Sequence, residues 1–473
     1  MNNTTTSNIA FKSGIWYVIS SILVKGIVIL TTPIFTRILS TKEYGIVANF
    51  NSWSSLLLVI CTLNLTYSIG RAKLDFPSKL NKYVGAMQLL SLIFSLCLCS
   101  IILIFLDIFS YIMELEQEIL FFLMLYLIFS PTILFVQNSY RYEYKYKQNI
   151  AIAWYTSIST VSLSILLILF INKNKALLRI LGIVLPTIFL SVFFWFKQLK
   201  NRYINFNPNF IIYGLKLSGP LVLHTLSLNL LAQSDIILIT RYCGANNTAI
   251  YSLAYSYGIL LTTITNAIAE GWLPWFHDTF YNNQYNIIQE KVKPLIGLGC
   301  FLGLGCISLA PEIILILGGK EYISGIYCIP PIVLGIVCQY VYTHYVNIEL
   351  HLKKTFFVSL GTIFAAILNI ILNIIFIPKY GFAAAAYTTL FGYIFLLISH
   401  YYISNYILKV KLYNNIFMFA AILVTSICSI ILALSYQYIF LRFILTTIGL
   451  LVFISFYKEY IKLFLKNNTR KRK

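Results

Sequence analysis

The sequence predicts an all-α polytopic membrane protein with about 14 transmembrane helices, arranged as two pseudo-symmetric six-helix lobes around a central cavity, plus two C-terminal helices. Three observations lead there. Of the 473 residues, 59% are hydrophobic and only 11% charged, whereas an average soluble domain is roughly a quarter charged. The apolar residues gather in runs of about 20, the length a helix needs to cross a bilayer core. The chain also resembles itself at an offset of 204 residues.

The apolar runs fall at about 13–36, 45–70, 83–106, 118–138, 150–171, 177–196 and 213–239. They continue at about 248–270, 294–317, 325–346, 356–377, 382–403, 414–434 and 438–457. Loops carry the Pro, Gly and Asn of chain reversals, as in Pro378-Lys379-Tyr380-Gly381. Ten mostly polar residues lead directly into the first run, so no cleavable signal peptide is expected. The nine cysteines sit almost entirely within apolar stretches and form no CxxC pair, which argues against a zinc site or a disulfide framework.

A formal charge of +20 raises the possibility of nucleic acid as a partner. The Lys and Arg residues instead form short clusters between the runs, the layout of loops facing an anionic leaflet. Assigning alternate loops to the two sides places 24 basic residues on one and 8 on the other. That asymmetry predicts a plasma-membrane protein with both termini in the cytoplasm.

The offset places Thr36-Arg37 over Thr240-Arg241, Ile46 over Ile250 and Ser52 over Ser256, and it matches loop positions along the intervening 200 residues. The expected domains are an N-terminal lobe at 1–204, a C-terminal lobe at 205–408, and two spans with a basic tail at 409–473. Two parallel lobes related by an axis along the membrane normal are a transporter plan. Arg37 and Arg241, equivalent by the offset, are expected to cap helix carbonyls.

External loops are short, and no phosphate cradle, HExxH or Cys/His metal spacing appears. An enzyme, a nucleotide-driven pump and a metal site are therefore not expected.

Charged groups within apolar spans are expensive and point to function. Lys25 lies near the middle of the first span, too deep to snorkel easily. His224 and Asp235 share the seventh span, 11 residues apart, about 20° from a common face at 3.6 residues per turn. Arg71 ends the second span and suits either a phosphate or a positive-inside anchor. Glu270 and His344 end the eighth and tenth spans and are expected at the water interface, with Glu270 also a candidate ion-coupling acid beside Asp235.

Several stretches resemble bacterial oligosaccharide flippases of the multidrug/oligosaccharidyl-lipid/polysaccharide exporter superfamily. They are Ser218-Gly219-Pro220 through Asp235, the run from Ile236 to Tyr257, Glu270-Gly271-Trp272-Leu273-Pro274-Trp275-Phe276, TRILSTKEYG at 36–45 and IPKYGFAAAAYTTLFGY at 377–393. Two departures stand out: Ala383-Ala384 replaces a frequent Gly-Ala pair, and Ile236 follows Asp235 where a basic residue is common. The resemblance implies that an undecaprenyl-diphosphate-linked oligosaccharide repeat unit is moved from the inner to the outer leaflet for O-antigen or capsule assembly.

On that reading Lys25, Arg71 and His224 hold the diphosphate, while Asp235 and Glu270 bind a coupling ion, H+ or Na+. No further cofactor is implied. The partners are the lipid-linked glycan, membrane lipids, and a polysaccharide polymerase with its chain-length proteins. Competing readings are a lipid-linked peptidoglycan precursor flippase and a cation-coupled drug exporter. The first is opposed by a first span whose only central charge is Lys25, the second by the scarcity of buried acids.

Overall fold

A computed structural model describes residues 3–171, 174–204 and 206–470. The described residues are helical throughout, with no strand, and form two compact units, Met1–Ala249 and Ile250–Lys473.

The first unit contains α1 (Asn3–Ile38), α2 (Thr41–Thr62), α3 (Ile69–Asp75), α4 (Leu80–Ile104), α5 (Leu106–Met113), α6 (Gln117–Tyr142), α7 (Tyr146–Phe170), α8 (Lys175–Lys200) and α9 (Pro208–Cys243). Helix α10 (Ala245–Tyr281) begins in this unit and runs into the second. The second unit continues with α11 (Tyr285–Ser308), α12 (Ala310–Gly318), α13 (Ile329–His351), α14 (Thr355–Tyr380), α15 (Ala383–Tyr402), α16 (Asn415–Leu434) and α17 (Ile439–Arg470).

Most of the apolar runs lie on a single long helix, but the run at 45–70 is divided between α2 and α3 and the run at 294–317 between α11 and α12. Among the described residues, 11 helices are long and apolar enough to cross a membrane. Helices α1, α10 and α17 are not among these, although α17 contains a shorter apolar stretch, Ile439–Ser455. The chain is a multi-pass membrane protein.

Local chemistry explains several helix boundaries. Ser40 accepts from the Glu43 backbone N–H while the Glu43 carboxylate accepts from the Ser40 N–H, a reciprocal cap that starts α2. Gly244, at φ 80°, ends α9 in a conformation that disfavours a side chain. Pro33, Pro131 and Pro220 lie inside helices, a placement that membrane-spanning helices tolerate.

Within the first unit, α2, α4, α6 and α8 pack around a core that includes Phe50, Cys61, Ile102, Leu123 and Ile180. Polar side chains join these helices, as expected where lipid supplies no drive for association. Asn49 Nδ2 donates to the Met113 carbonyl at 2.7 Å, and Trp195 Nε1 donates to Thr132 Oγ1 at 2.8 Å. Gly45 permits the closest approach: a Cβ there would lie 1.8 Å from the carbonyl oxygen of Ala245. Helix α1 packs chiefly along α7, whereas α9 packs on α2 and α4.

In the second unit α13 is the central element, packed by α11, α14, α15 and α16. The short helix α5 begins at Leu106 after α4, and α12 begins at Ala310 after α11. The boundary at residue 249 follows packing, while the lobe boundary expected at 204 follows the repeat. These are different divisions of the chain.

Candidate functional site

The apolar run at 45–70 forms a broken helix rather than a continuous one. Helix α2 stops at Thr62, Leu63 and Asn64 turn left-handed at φ 45° and 53°, and a 3-10 turn over Leu65–Ser68 leads into α3. A left-handed residue with a Cβ costs roughly 1–2 kcal/mol, so the break must be held by its surroundings. Three side chains hold it. Asn64 Nδ2 donates to Thr225 Oγ1 of α9 at 3.0 Å, Ser91 Oγ donates to the Cys61 carbonyl at 2.8 Å, and Tyr83 Oη donates to Ser68 Oγ at 2.6 Å. Leu65 and Ile69 are fully enclosed beside Phe135 and Met87. Such breaks expose backbone dipoles at depth and are a device of transporters.

Helix α9 meets the same segment a second time. Tyr213 Oη donates to Asp75 Oδ2 at 2.5 Å, and Arg71 Nε donates to the same oxygen at 3.0 Å. The Tyr213 hydroxyl, and then the Arg71 guanidinium, hold the Asp75 carboxyl below its usual range; Asp75 in turn raises Arg71. Phe76, Tyr83, Phe210 and Tyr213 pack ring to ring around this contact, with Phe76 and Tyr213 edge-on at 5.0 Å. Gly214 allows it, because a Cβ there would lie 2.4 Å from Met87 Sδ.

The candidate residues are strung out along these elements. Lys25 is exposed on α1. Arg71 is engaged with Asp75, its side chain 63% exposed. His224 is half-buried next to Thr225, the residue that receives Asn64, and Asp235 is buried farther along α9. Tyr213, His224 and Asp235 follow one another at intervals of 11 residues, so at 1.5 Å per residue neighbours sit about 16 Å apart along the axis and the outer two about 33 Å. They form a track along one helix rather than one pocket. Glu270 is exposed on α10, in the second unit.

A cleft of about 370 Å³ in the first unit is lined by Lys42, Glu114, Glu116 and Thr240 among others, and by none of these candidates. Arg241, at the far end of α9 from Tyr213, donates to the Tyr111 carbonyl at 2.9 Å, pairs with Glu114, and lies over the Tyr111 ring at 4.0 Å. It thus satisfies a helix carbonyl, as expected for that position. His344 departs from expectation. It is 1% exposed, enclosed by the rings of Trp272, Tyr340 and Tyr413, and not at a water interface.

The family model for polysaccharide biosynthesis proteins matches residues 10–280, which include α9 and its site residues. The chain belongs to that family. A protein of the Lsg locus of Haemophilus influenzae is 23% identical over 290 residues, covering 60% of this chain and 69% of that protein. The fold is shared with solved transporters. The lipid II flippase MurJ, in an inward closed conformation, matches with a TM-score of 0.68 at 16% identity, covering 94% of this chain and 100% of MurJ. An inward-facing multidrug resistance MATE family transporter of the MOP superfamily matches at 0.61 with 13% identity, covering 81% and 94%. This family member is therefore grouped by sequence with polysaccharide biosynthesis proteins, and its fold is that of the MurJ and MATE structures.

Other polar groups carry little or no sequence signal. Asn64 resembles any loop asparagine until its φ and its partner are known. Arg442, an arginine inside the last apolar run, was open to detection; it is 1% exposed and pairs with Glu312 of α12. Glu349 and His400 form a wholly enclosed pair in the second unit.

Proposed function

We propose that this protein is a flippase that moves an undecaprenyl-diphosphate-linked oligosaccharide repeat unit from the inner to the outer leaflet of the plasma membrane. Membership of the polysaccharide biosynthesis family carries this reading. The fold it shares with a lipid II flippase supports transport of a prenyl-anchored cargo. A diphosphate bearing a hydrophilic glycan cannot cross hydrocarbon unaided, so its passage needs a polar track and a cation.

Lys25 on α1 supplies the central cation of the proposal, with Arg71 and His224 as further contacts. Asp235 and Glu270 are the proposed ion-coupling acids, with H+ or Na+ as the ion. Access alternates between leaflets while the prenyl tail stays in lipid. The exported unit passes to a polymerase and its chain-length partners.

The test uses purified full-length protein in liposomes, with a fluorescent prenyl-diphosphate oligosaccharide in one leaflet. The expected result is protein-dependent movement to the other leaflet with the glycan neither hydrolysed nor extended. Movement of a peptidoglycan precursor or of a cationic dye, without movement of the oligosaccharide, would assign the chain to one of those substrates instead.

A further inference from the structure

Glu349 lies in the last turn of α13 and His400 near the end of α15, two helices that pack closely within the second unit. His400 Nδ1 and Glu349 Oε1 are 2.8 Å apart, and both side chains are 0% exposed. Among the described residues, neither Glu349 Oε2 nor His400 Nε2 finds a hydrogen-bond partner. The enclosed pair therefore has one internal hydrogen bond and two open polar atoms.

The surroundings do little to balance a charge. Tyr342 of α13 stacks on the His400 ring at 5.4 Å, and Tyr393 of α15 lies beside Tyr342. Helix α14 approaches with Gly361, where a Cβ would stand 3.2 Å from His400 Nε2. His344, on the same helix as Glu349, faces Trp272 of α10 and Tyr413 ahead of α16. His351 meets His277 of α10, with their Nδ1 atoms 2.9 Å apart. Tyr345 faces Tyr401 and donates to Asn415 at the start of α16. From α11, Gly299 adjoins Tyr340. Lys353 and Lys354 lie just past α13 with exposed side chains, and the Lys354 backbone N–H donates to the Glu349 carbonyl at 2.8 Å.

A carboxylate beside a neutral imidazole would leave one enclosed negative charge, which is costly without compensation. One added proton removes it. The proton lands on His400 Nε2 to give an imidazolium; if the Nδ1 proton then moves to the carboxylate, one N–H bond breaks as one O–H bond forms, and in either form the net charge of the pair goes from −1 to zero.

We propose that Glu349 and His400 form a site that binds and releases a single proton during transport. The coupling role rests on the transport reading above; proton binding by the pair does not.

Infrared difference spectroscopy of the purified full-length protein in lipid, during a pH change across neutrality, tests proton binding directly. The expected result is a carboxyl or imidazole protonation signal in the wild type that is lost in Glu349→Gln, in His400→Gln and in the double variant, which strands no charge if a single variant folds poorly. A wild type without such a signal, or one that persists in the double variant, overturns the proposal.

The second arm measures oligosaccharide movement with and without a pH gradient. Stimulation by the gradient should fall severalfold in Glu349→Gln, any remainder being carried by Asp235 and Glu270, while exchange without a gradient remains. Stimulation retained in full overturns the coupling role. A wild type that moves no oligosaccharide would refute the transport reading, and the infrared arm would still decide the proton site.

Discussion

Asn64 donates its side-chain amide to Thr225 at 3.0 Å, tying the left-handed break in the second apolar run to the residue next to His224. The hydrogen bond joins a broken helix to the helix that carries two of the candidate residues. Strained backbone held by a specific partner is characteristic of functional segments.

That bond can be tested on its own. Asn64→Ala loses the bond and places a Cβ residue with no polar side chain at positive φ, so thermal stability should fall by about 1–2 kcal/mol. Asn64→Gly relieves the backbone but still lacks the bridge. If the bridge matters for transport, Asn64→Gly should lose oligosaccharide movement while unfolding close to the wild-type temperature.

Lys25 gives the most direct test of cargo binding. Lys25→Ala should lose oligosaccharide movement while inserting normally, because removing a central cation eases insertion by on the order of 3 kcal/mol. Lys25→Arg should keep part of the activity, since the charge persists in a different geometry. Movement normalised to folded protein in the membrane is the measurement. Full activity of Lys25→Ala at equal abundance would remove Lys25 from the mechanism.

The Asp75 contact predicts a pH dependence of defined sign. Its carboxyl is held below the usual range in the folded protein, first by Tyr213 and then by Arg71. The contact is therefore intact above the ordinary carboxylate range and is lost as pH falls through the lowered value. The unfolding temperature should fall as the medium is acidified through that range. Asp75→Asn should abolish the acid dependence, and Tyr213→Phe should shift it more than Arg71→Gln does.

Arg442 and Glu312 predict an asymmetry. Arg442 is 1% exposed and Glu312 33% exposed, so removing the acid strands an enclosed cation while removing the arginine frees a carboxylate that already reaches the surface. Glu312→Gln should cost about 3–5 kcal/mol of stability and Arg442→Met clearly less. Equal losses in thermal unfolding of the two variants would show that Arg442 has other compensation.

Orientation is testable by labelling. Single cysteines replacing Lys79 and Lys411 should react only from the cytoplasm, and one replacing Lys320 only from outside, as the distribution of 24 basic residues against 8 requires. Labelling at Lys320 from the cytoplasm alone would invert the topology.

The sequence by itself determined the membrane class, the all-helical architecture and the approximate place of most long helices, because hydropathy and turn chemistry are local properties. It also carried the family, through segments such as 36–45 and the run from Ser218 to Tyr257, which are motifs of contiguous residues. Lys25, Arg71, His224, Asp235 and Glu270 stood out because a charge or an imidazole in or beside an apolar run is conspicuous. Only the tertiary structure decided what those groups meet. No glycine or proline at Leu63-Asn64 announces the break in α2, and the partners that hold it lie on α4 and α9. Asp75 finds Tyr213 across 138 residues, and Glu349 finds His400 across 51. The physical reason is that a helix in lipid is apolar on every side, so periodicity does not mark its inward face. Which polar groups come together is fixed by how the helices pack.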